Sequence, residues 1–132
     1  MSGYLLDTNI ISDLIRNPSG PAAKRIEDVG AKAICTSIIV AAELRYGCAK
    51  KGSPKLLAKV EGVLQTIPVL PFDIPADTDY GGLRAELEAA GQPIGANDLL
   101  IAAHALALGL TLVTNNTREF GRVRGLKVEN WR

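Results

Sequence analysis

The sequence predicts an α/β protein in which helices cover a central parallel sheet. Short apolar runs alternate with longer segments of helical periodicity along most of the chain, the order typical of parallel strands joined by crossover helices. Segments rich in Gly, Pro and Asn separate these elements. Of the 132 residues, 47% are hydrophobic and 22% are charged, a balance typical of folded globular proteins. We therefore expect one domain over residues 1–132, long enough to bury a core without crosslinks.

The first strand and helix lie at the start of the chain. Tyr4–Leu6 is a short apolar run that predicts a buried strand, and Asp7 ends it. Apolar residues over 10–15 then recur at helical spacing, with Thr8 or Asn9 before them as a cap. An Asn-Pro-Ser-Gly turn follows and predicts where this helix ends.

Two further helices follow a second strand. Residues 33–36 predict that strand, and Ser37 is a suitable cap for a helix reaching about Ala49. Pro54 stands after a Gly-Ser pair, and proline is favoured in the first turn of a helix. The helix that it begins should reach about Gln65.

The second half of the chain repeats the order of strand and helix. Residues 68–72 predict a third strand, and 74–90 a long helix with Pro75 in its first turn. The apolar segment 99–108 predicts a buried helix, and 110–114 is the strongest strand pattern in the chain. Strands joined in this way form a parallel sheet that is covered on both faces, with right-handed crossovers.

Composition argues against a membrane or secreted protein. No apolar stretch reaches the roughly 18 residues that a membrane span needs, because His104 and Gly109 interrupt the most apolar one. The first seven residues lack the basic and long apolar regions of a secretory signal. A cytoplasmic location is expected, where Cys35 and Cys48 stay reduced.

The net charge of +1 conceals two basic clusters. Their members are Arg45, Lys50, Lys51, Lys55 and Lys59 in the first, and Arg118, Arg122, Arg124, Lys127 and Arg132 in the second. Two such clusters on a nearly neutral protein suit a polyanionic partner, although a solvated surface explains them equally well.

Three acids occupy positions where a carboxylate is unusual. Asp7 ends a buried strand, Glu43 interrupts an apolar helical stretch, and Asp98 lies in the first turn of the most apolar helix. Each also has a structural explanation, because Asp7 can cap a helix, Glu43 can face solvent and Asp98 can interact with the helix dipole. Ligands of open parallel sheets collect at the carboxyl ends of the strands, so the three acids can also converge on one cleft.

Converging carboxylates repel one another unless a cation neutralises them. Hard oxygen ligands suit Mg²⁺ or Mn²⁺, and attack of a metal-activated water on a phosphodiester is the chemistry that such a site favours. The segment 114–120 can bring hydroxyls, amides and Glu119 to the same cleft, or can simply form a turn. His104, the only histidine, is expected to be a packed, hydrogen-bonded residue rather than a general base.

Two other classes of protein fit the sequence less well. Aspartate-based phosphotransfer domains also end an early strand in Asp, but the phosphatases need a second Asp where this chain has Asn9. Receiver domains need an acidic pair before the strand-end Asp and a lysine after a late strand, and this chain has neither. A non-catalytic nucleic-acid-binding module has no need of three such acids.

Four segments resemble the VapC toxins of bacterial type II toxin–antitoxin systems, a branch of the PIN-domain ribonucleases. They are 5–9 (LLDTN), 42–47 (AELRYG), 94–104 (IGANDLLIAAH) and 112–120 (LVTNNTREF). None is specific alone, but in this order they span nearly the whole chain. The resemblance implies a PIN-like three-layer α/β/α fold with a central parallel sheet, as a single PIN domain over 1–132.

The resemblance also implies a catalytic site. Asp7, Glu43 and Asp98 carry over as catalytic acids that hold Mg²⁺ or Mn²⁺. Asn116, also assigned to the catalytic site, stands where many PIN domains have a fourth aspartate, so a second ion would be weak or would rely on Glu119. The implied activity is endoribonuclease cleavage of structured RNA, in this branch the initiator tRNA anticodon loop, which inhibits translation.

The same resemblance implies contacts to the ion and to proteins, and Thr8 is expected in the water shell of the ion and close to the RNA. The basic residues Arg45, Lys50 and Arg118 are separately predicted to contact RNA phosphates. Relatives usually form homodimers, and a cognate VapB-type antitoxin silences them by placing its C-terminal segment in the active-site groove. That antitoxin binds operator DNA, so DNA contact by this chain would be indirect. A PIN-type nuclease that acts on DNA or in RNA processing without an antitoxin stays open as the alternative.

Overall fold

The computed structural model describes residues 3–132. Within that range the chain forms five strands, seven α-helices and a 3-10 turn over Ala31–Ala33. The strands are β1 (Tyr4–Leu6), β2 (Ile34–Ser37), β3 (Val69–Leu70), β4 (Thr111–Val113) and β5 (Val128–Glu129). The helices are α1 (Thr8–Arg16), α2 (Pro21–Val29), α3 (Ile38–Lys51), α4 (Pro54–Thr66), α5 (Ala76–Ala89), α6 (Ala96–Leu108) and α7 (Thr117–Phe120).

The five strands form one parallel sheet in the order β3-β2-β1-β4-β5. β1 lies at the centre, with Leu5 opposite Cys35 of β2 and Leu112 of β4. The chain builds the sheet outward from β1 to β3, and then crosses to the other side for β4 and β5. The strand order therefore reverses between β1 and β4, and open α/β sheets bind ligands at the carboxyl ends of the strands at such a point.

Helices cover both faces of this sheet. Successive strand residues point to opposite faces, and the neighbours Leu5 and Leu6 of β1 are both fully buried, as are Leu112 and Val113 of β4. α6 is apolar almost all round and contributes Ile101 and its neighbours to the same core. The three-layer α/β/α architecture predicted from the sequence is confirmed.

Several predicted element boundaries are wrong. Asp7 is the N-cap of α1, because its carboxylate accepts the Thr8 N–H, so neither Thr8 nor Asn9 is the cap. Pro75 is the N-cap of α5 rather than a residue of its first turn. α6 begins at Ala96, three residues before the predicted start of the buried helix. Each shift reflects a polar or turn residue that hydrophobic periodicity does not register.

The sequence pattern does not predict α2, α7 or β5. α2 fully buries only Ala22 and has charged residues along much of its length, while α7 and β5 have only four and two residues. In contrast, the packed role predicted for His104 is confirmed, since the side chain is buried and a 2.8 Å hydrogen bond joins its Nδ1 to Ser37 Oγ. Cys35 and Cys48 are both free thiols. No helix within residues 3–132 has the length and apolar character to cross a membrane.

Candidate metal centre

Asp7 lies where β1 ends and α1 begins, at the point where the strand order reverses. Its side chain is buried, and three donors hold it in place: Thr8 N–H at 2.8 Å on Oδ1, and Thr114 Oγ1 at 2.8 Å and Asn9 Nδ2 at 3.1 Å on Oδ2. Burial raises the pKa of Asp7, and the negative charge of Glu43 adds to that rise, whereas the hydrogen bonds oppose it. The carboxylate is thus fixed in orientation but left without a compensating charge.

Asp98 enters the same region from the first turn of α6. Burial raises its pKa most, and the negative charges of Asp7, Glu119 and Glu43 and a hydrogen bond with Glu119 raise it further, to about 7. A carboxyl whose pKa rises from 3.8 to about 7 lies among other acids that are not neutralised. The structure therefore brings Asp98 to the cluster predicted from the sequence.

Glu43 lies in the middle of α3 and reaches the cluster through two hydrogen bonds. Thr8 Oγ1 donates to Oε1 at 2.6 Å, and Asn97 Nδ2 donates to Oε2 at 3.3 Å. The first bond ties Glu43 to α1 and the second ties it to the start of α6. Glu43, which the sequence places inside an apolar helical stretch, is thus held at the carboxyl end of the sheet rather than directed to bulk solvent.

The segment after β4 closes the cluster. Thr114 is fully buried, and its Oγ1 donates to Asp7 and accepts Asn9 Nδ2 at 3.2 Å and Asn116 N–H at 3.0 Å. Asn9 also accepts Asn115 N–H at 2.8 Å, so this side chain joins α1 to the loop. Neither Asn9 nor Asn97 was predicted from the sequence to orient the acids. The only signal was that each lies within two residues of a predicted acid.

Glu119 also lies in this region, where its carboxylate accepts two hydrogen bonds. Gly95 N–H donates to its Oε1 at 2.6 Å and Asn116 Nδ2 donates to its Oε2 at 3.0 Å. The Gly95 bond is the main reason why the pKa of Glu119 is lowered, in contrast to that of Asp98. Asn116 Nδ2 lies 3.3 Å from Asp98 Oδ2 as well, so the asparagine stands between two acids.

The donor set suits a hard divalent cation. Carboxylate oxygens of Asp7, Glu43 and Asp98 gather with hydroxyl and amide groups, and hard oxygen donors are the ligands of Mg²⁺ and Mn²⁺. Within residues 3–132, no three acidic, histidine or cysteine side chains stand close enough together to ligate one ion. Mg²⁺ in proteins usually takes only one or two carboxylates and keeps several waters, so this spacing is compatible with it.

The residues predicted to contact RNA lie in different settings. Thr8 is at the cluster, whereas Arg45 is exposed on α3 and pairs with Glu61 of α4 at 2.6 Å. Lys50, on the last turn of α3, and Arg118, on α7, are exposed. The structure thus brings Thr8 to the acids and leaves the three basic residues exposed on the surface.

A groove of about 290 Å³ leads away from the cluster between α1, α3 and α4. Thr8 and Glu43 line one part of it, and the exposed side chains of Arg16 and Lys51 line another. Apolar side chains line the rest: Ile15, Leu44, Cys48, Leu56 and Val60. The lining of the groove therefore combines acidic, apolar and basic side chains.

Known proteins resemble this chain over nearly its whole length. The model of the PIN domain family matches residues 4–126. The tRNA(fMet)-specific endonuclease VapC of Shigella flexneri is 42% identical over 132 residues, which is 99% of each protein. Ribonuclease VapC2 of Haemophilus influenzae (strain ATCC 51907 / DSM 11121 / KW20 / Rd) is 40% identical over the same length, again 99% of each.

Solved structures give the same relationship in three dimensions. VapBC2 from Rickettsia felis, bound to a DNA fragment from its promoter, contains a chain with a TM-score of 0.91 and 41% identity, and each chain is covered completely. DNA-bound VapBC from Salmonella typhimurium gives a TM-score of 0.91 with 38% identity, also with complete coverage of both chains. PIN-domain ribonucleases generally depend on a divalent metal ion.

Proposed function

The chain belongs to the PIN-domain family, and from that premise we propose that it is a divalent-cation-dependent endoribonuclease, the toxin of a VapBC-type toxin–antitoxin module. One observation carries the proposal: Thr8 joins the carboxylates of Asp7 and Glu43 at the carboxyl end of β1, where the strand order reverses, and the negative charges of both acids help to raise the pKa of Asp98. We propose these three as the catalytic acids that hold the cation, one or two of them directly and the others through the waters that Mg²⁺ keeps.

Mg²⁺ or Mn²⁺ is the cofactor proposed for these acids, and when bound it would supply Lewis-acid polarisation of a phosphate and a more acidic water. The residues of the chain orient the site. Thr114 and Asn9 fix Asp7, while Thr8 fixes Glu43 and is available to the water shell. His104 is not proposed as a base, because burial lowers its pKa and Ser37 engages its Nδ1.

The proposed substrate is tRNA, with the initiator tRNA anticodon loop as the specific target. The name of the Shigella relative, a tRNA(fMet)-specific endonuclease with 42% identity, supports this choice. Exposed cations at Lys50 and Arg118 supply phosphate contacts, and Arg45 can join them if its pair with Glu61 opens. Cleavage of this RNA inhibits translation, which is the basis of toxicity.

A VapB-type antitoxin is the proposed partner, since both solved structures quoted above are VapBC complexes bound to DNA. The groove beside the cluster suits its inhibitory segment, with a basic residue towards Glu43, apolar residues on the floor and acidic residues towards Arg16 and Lys51. We further propose a homodimer, contact with operator DNA only through the antitoxin, a cytoplasmic location and a single PIN domain over 1–132.

The proposal is tested by incubating the purified chain with total tRNA in Mg²⁺ and sequencing the new RNA ends. We expect one dominant cut in the initiator tRNA anticodon loop, absent with EDTA and absent in Asp7→Asn. Asp28→Asn is a matched control, because Asp28 is exposed on α2 and carries the same charge. Equal cleavage by wild type and Asp7→Asn would refute the catalytic assignment, and no cleavage of any tRNA by wild type would favour a non-catalytic module.

A further inference from the structure

Both carboxylate oxygens of Glu119 already have hydrogen-bond donors. Oε1 accepts Gly95 N–H at 2.6 Å, and Oε2 accepts Asn116 Nδ2 at 3.0 Å. Gly95 is the N-cap of α6, the helix whose first turn carries Asp98. The first bond therefore connects α7 to the start of α6, and it fixes Glu119 to the backbone that places Asp98.

Asn116 extends this connection to the Asp98 side chain. Its Nδ2 lies 3.0 Å from Glu119 Oε2 and 3.3 Å from Asp98 Oδ2. An amide nitrogen has two hydrogens and can donate to both carboxylates. The amide oxygen in that place would face two acids, so the hydrogen-bond network fixes which way the amide points. A neutral side chain thus bridges the two acids.

These bonds conflict with direct ligation of a cation by Glu119. To offer an oxygen to an ion, Glu119 has to weaken its bond with either Gly95 or Asn116. Hydrogen bonds from backbone N–H groups to carboxylates are among the stronger ones in proteins, and 2.6 Å is short for this class. A carboxylate that orients a neighbouring ligand needs no such rearrangement.

We propose that Glu119 is a positioning residue of the cation site: it anchors Gly95 and Asn116 so that Asp98 is directed at the ion, and it is not a ligand itself. The inference rests on the proposed function, since it assumes that Asp98 meets a divalent cation. Residues that orient metal ligands typically matter by about 10- to 100-fold in affinity. Asn116 acts in the same way, as the bridge between Glu119 and Asp98.

The test compares Glu119→Gln with Glu119→Ala, because both remove the same negative charge. Only Gln keeps a carbonyl oxygen that can accept Gly95 N–H. The binding of Mn²⁺ to the metal-free protein is measured by calorimetry, and the hydrogen-exchange rate of the Gly95 amide is measured by NMR without metal. Glu86→Ala is the charge-matched control, since Glu86 is exposed on α5 beside Arg124.

We expect Glu119→Ala to weaken Mn²⁺ binding by about 10- to 100-fold and to speed Gly95 exchange. Glu119→Gln should bind at least about tenfold more tightly than Ala and keep Gly95 protected. Equal loss in both variants would overturn the proposal in favour of direct ligation, and so would no loss in Ala. If Glu119→Ala does not fold, Glu119→Asn, neutral and one methylene shorter, replaces it. Absence of Mn²⁺ binding by wild type would refute the proposed function itself, and that failure is visible before any variant is compared.

Discussion

Replacing Asp98 with Asn should stabilise the metal-free protein while it removes a proposed ligand of the cation. Asp98 has its pKa raised to about 7, first by burial and then by the charges of Asp7, Glu119 and Glu43. The folded protein therefore holds the Asp98 proton more tightly than the unfolded chain does. The contribution of Asp98 to the free energy of unfolding is therefore greatest at low pH and is lost as the pH rises from 3.8 towards about 7, where the carboxyl ionises in the fold. Asn stays neutral and avoids this loss.

The size of the expected stabilisation follows from the shift in the pKa of Asp98. A rise of roughly three pKa units, at about 1.4 kcal/mol per unit, sets an upper limit of about 4 kcal/mol. Asp98 is only half-buried, so solvent screening reduces that figure substantially. Asn also gives up a favourable interaction of the charge with the α6 N-terminus, about 0.3–1 kcal/mol. We expect a net gain of about 1–2 kcal/mol at pH 8, which is about 4–7 °C in Tm for a domain of this size.

Thermal unfolding in EDTA at pH 5 and pH 8 measures this directly. The advantage of Asp98→Asn should be largest at pH 8 and fall to less than half of that at pH 5, and Mg²⁺ should raise the Tm of wild type but not that of the variant. Asp77→Asn, exposed in the first turn of α5, controls for loss of a helix-terminal acid. A variant that is less stable than wild type at pH 8 in EDTA would refute the electrostatic reasoning.

Three further predictions concern other parts of the molecule. Thr114→Val removes the hydroxyl that donates to Asp7 and should cost about 1–3 kcal/mol in urea unfolding, whereas Thr78→Val on the exposed face of α5 should change little; an equal effect of the two would contradict the role of the network. Lys50→Ala and Arg118→Ala should each reduce the salt slope of tRNA binding by about one, and Arg45→Ala should reduce it less because Glu61 already pairs with Arg45; unchanged slopes would return these residues to the solvated surface. Leu112→Ala empties a fully buried position of β4 and should cost about 2–5 kcal/mol, and a loss below 1 kcal/mol would show that the sheet core is not packed as described.

The parts of the fold that the sequence predicts are those where hydrophobic pattern and burial coincide. Three largely apolar segments lie at the centre of the molecule, and their pattern predicts strand or helix correctly. They are Tyr4–Leu6, 99–108 and 110–114. α2 differs from these segments because Ala22 is its only buried residue and its charged side chains are exposed. β5 has two residues, and its pairing with β4 depends on a contact distant in sequence. Local pattern cannot detect an element that tertiary contacts alone define.

The candidate site shows the same division. The sequence identifies Asp7 and Asp98 because a carboxylate is conspicuous beside apolar residues, and the structure brings both into one charged cluster. The groups that orient them are harder to find. Asn9 and Asn97 are ordinary helix-start residues by sequence, and their bonds to Thr114 and Glu43 join positions 105 and 54 residues apart. Such contacts are set by the fold and leave no local signal.

Titration of the metal-free protein with Mn²⁺ shows directly whether Asp7 and Asp98 hold a divalent cation. Electron paramagnetic resonance counts the free and bound ion in wild type, Asp7→Asn, Asp98→Asn and the exposed control Asp28→Asn. We expect saturable binding by wild type and by the control, and at least about tenfold weaker binding when either acid is neutral. Binding that is equal in all four proteins, or absent from all four, would show that these two acids do not hold the cation.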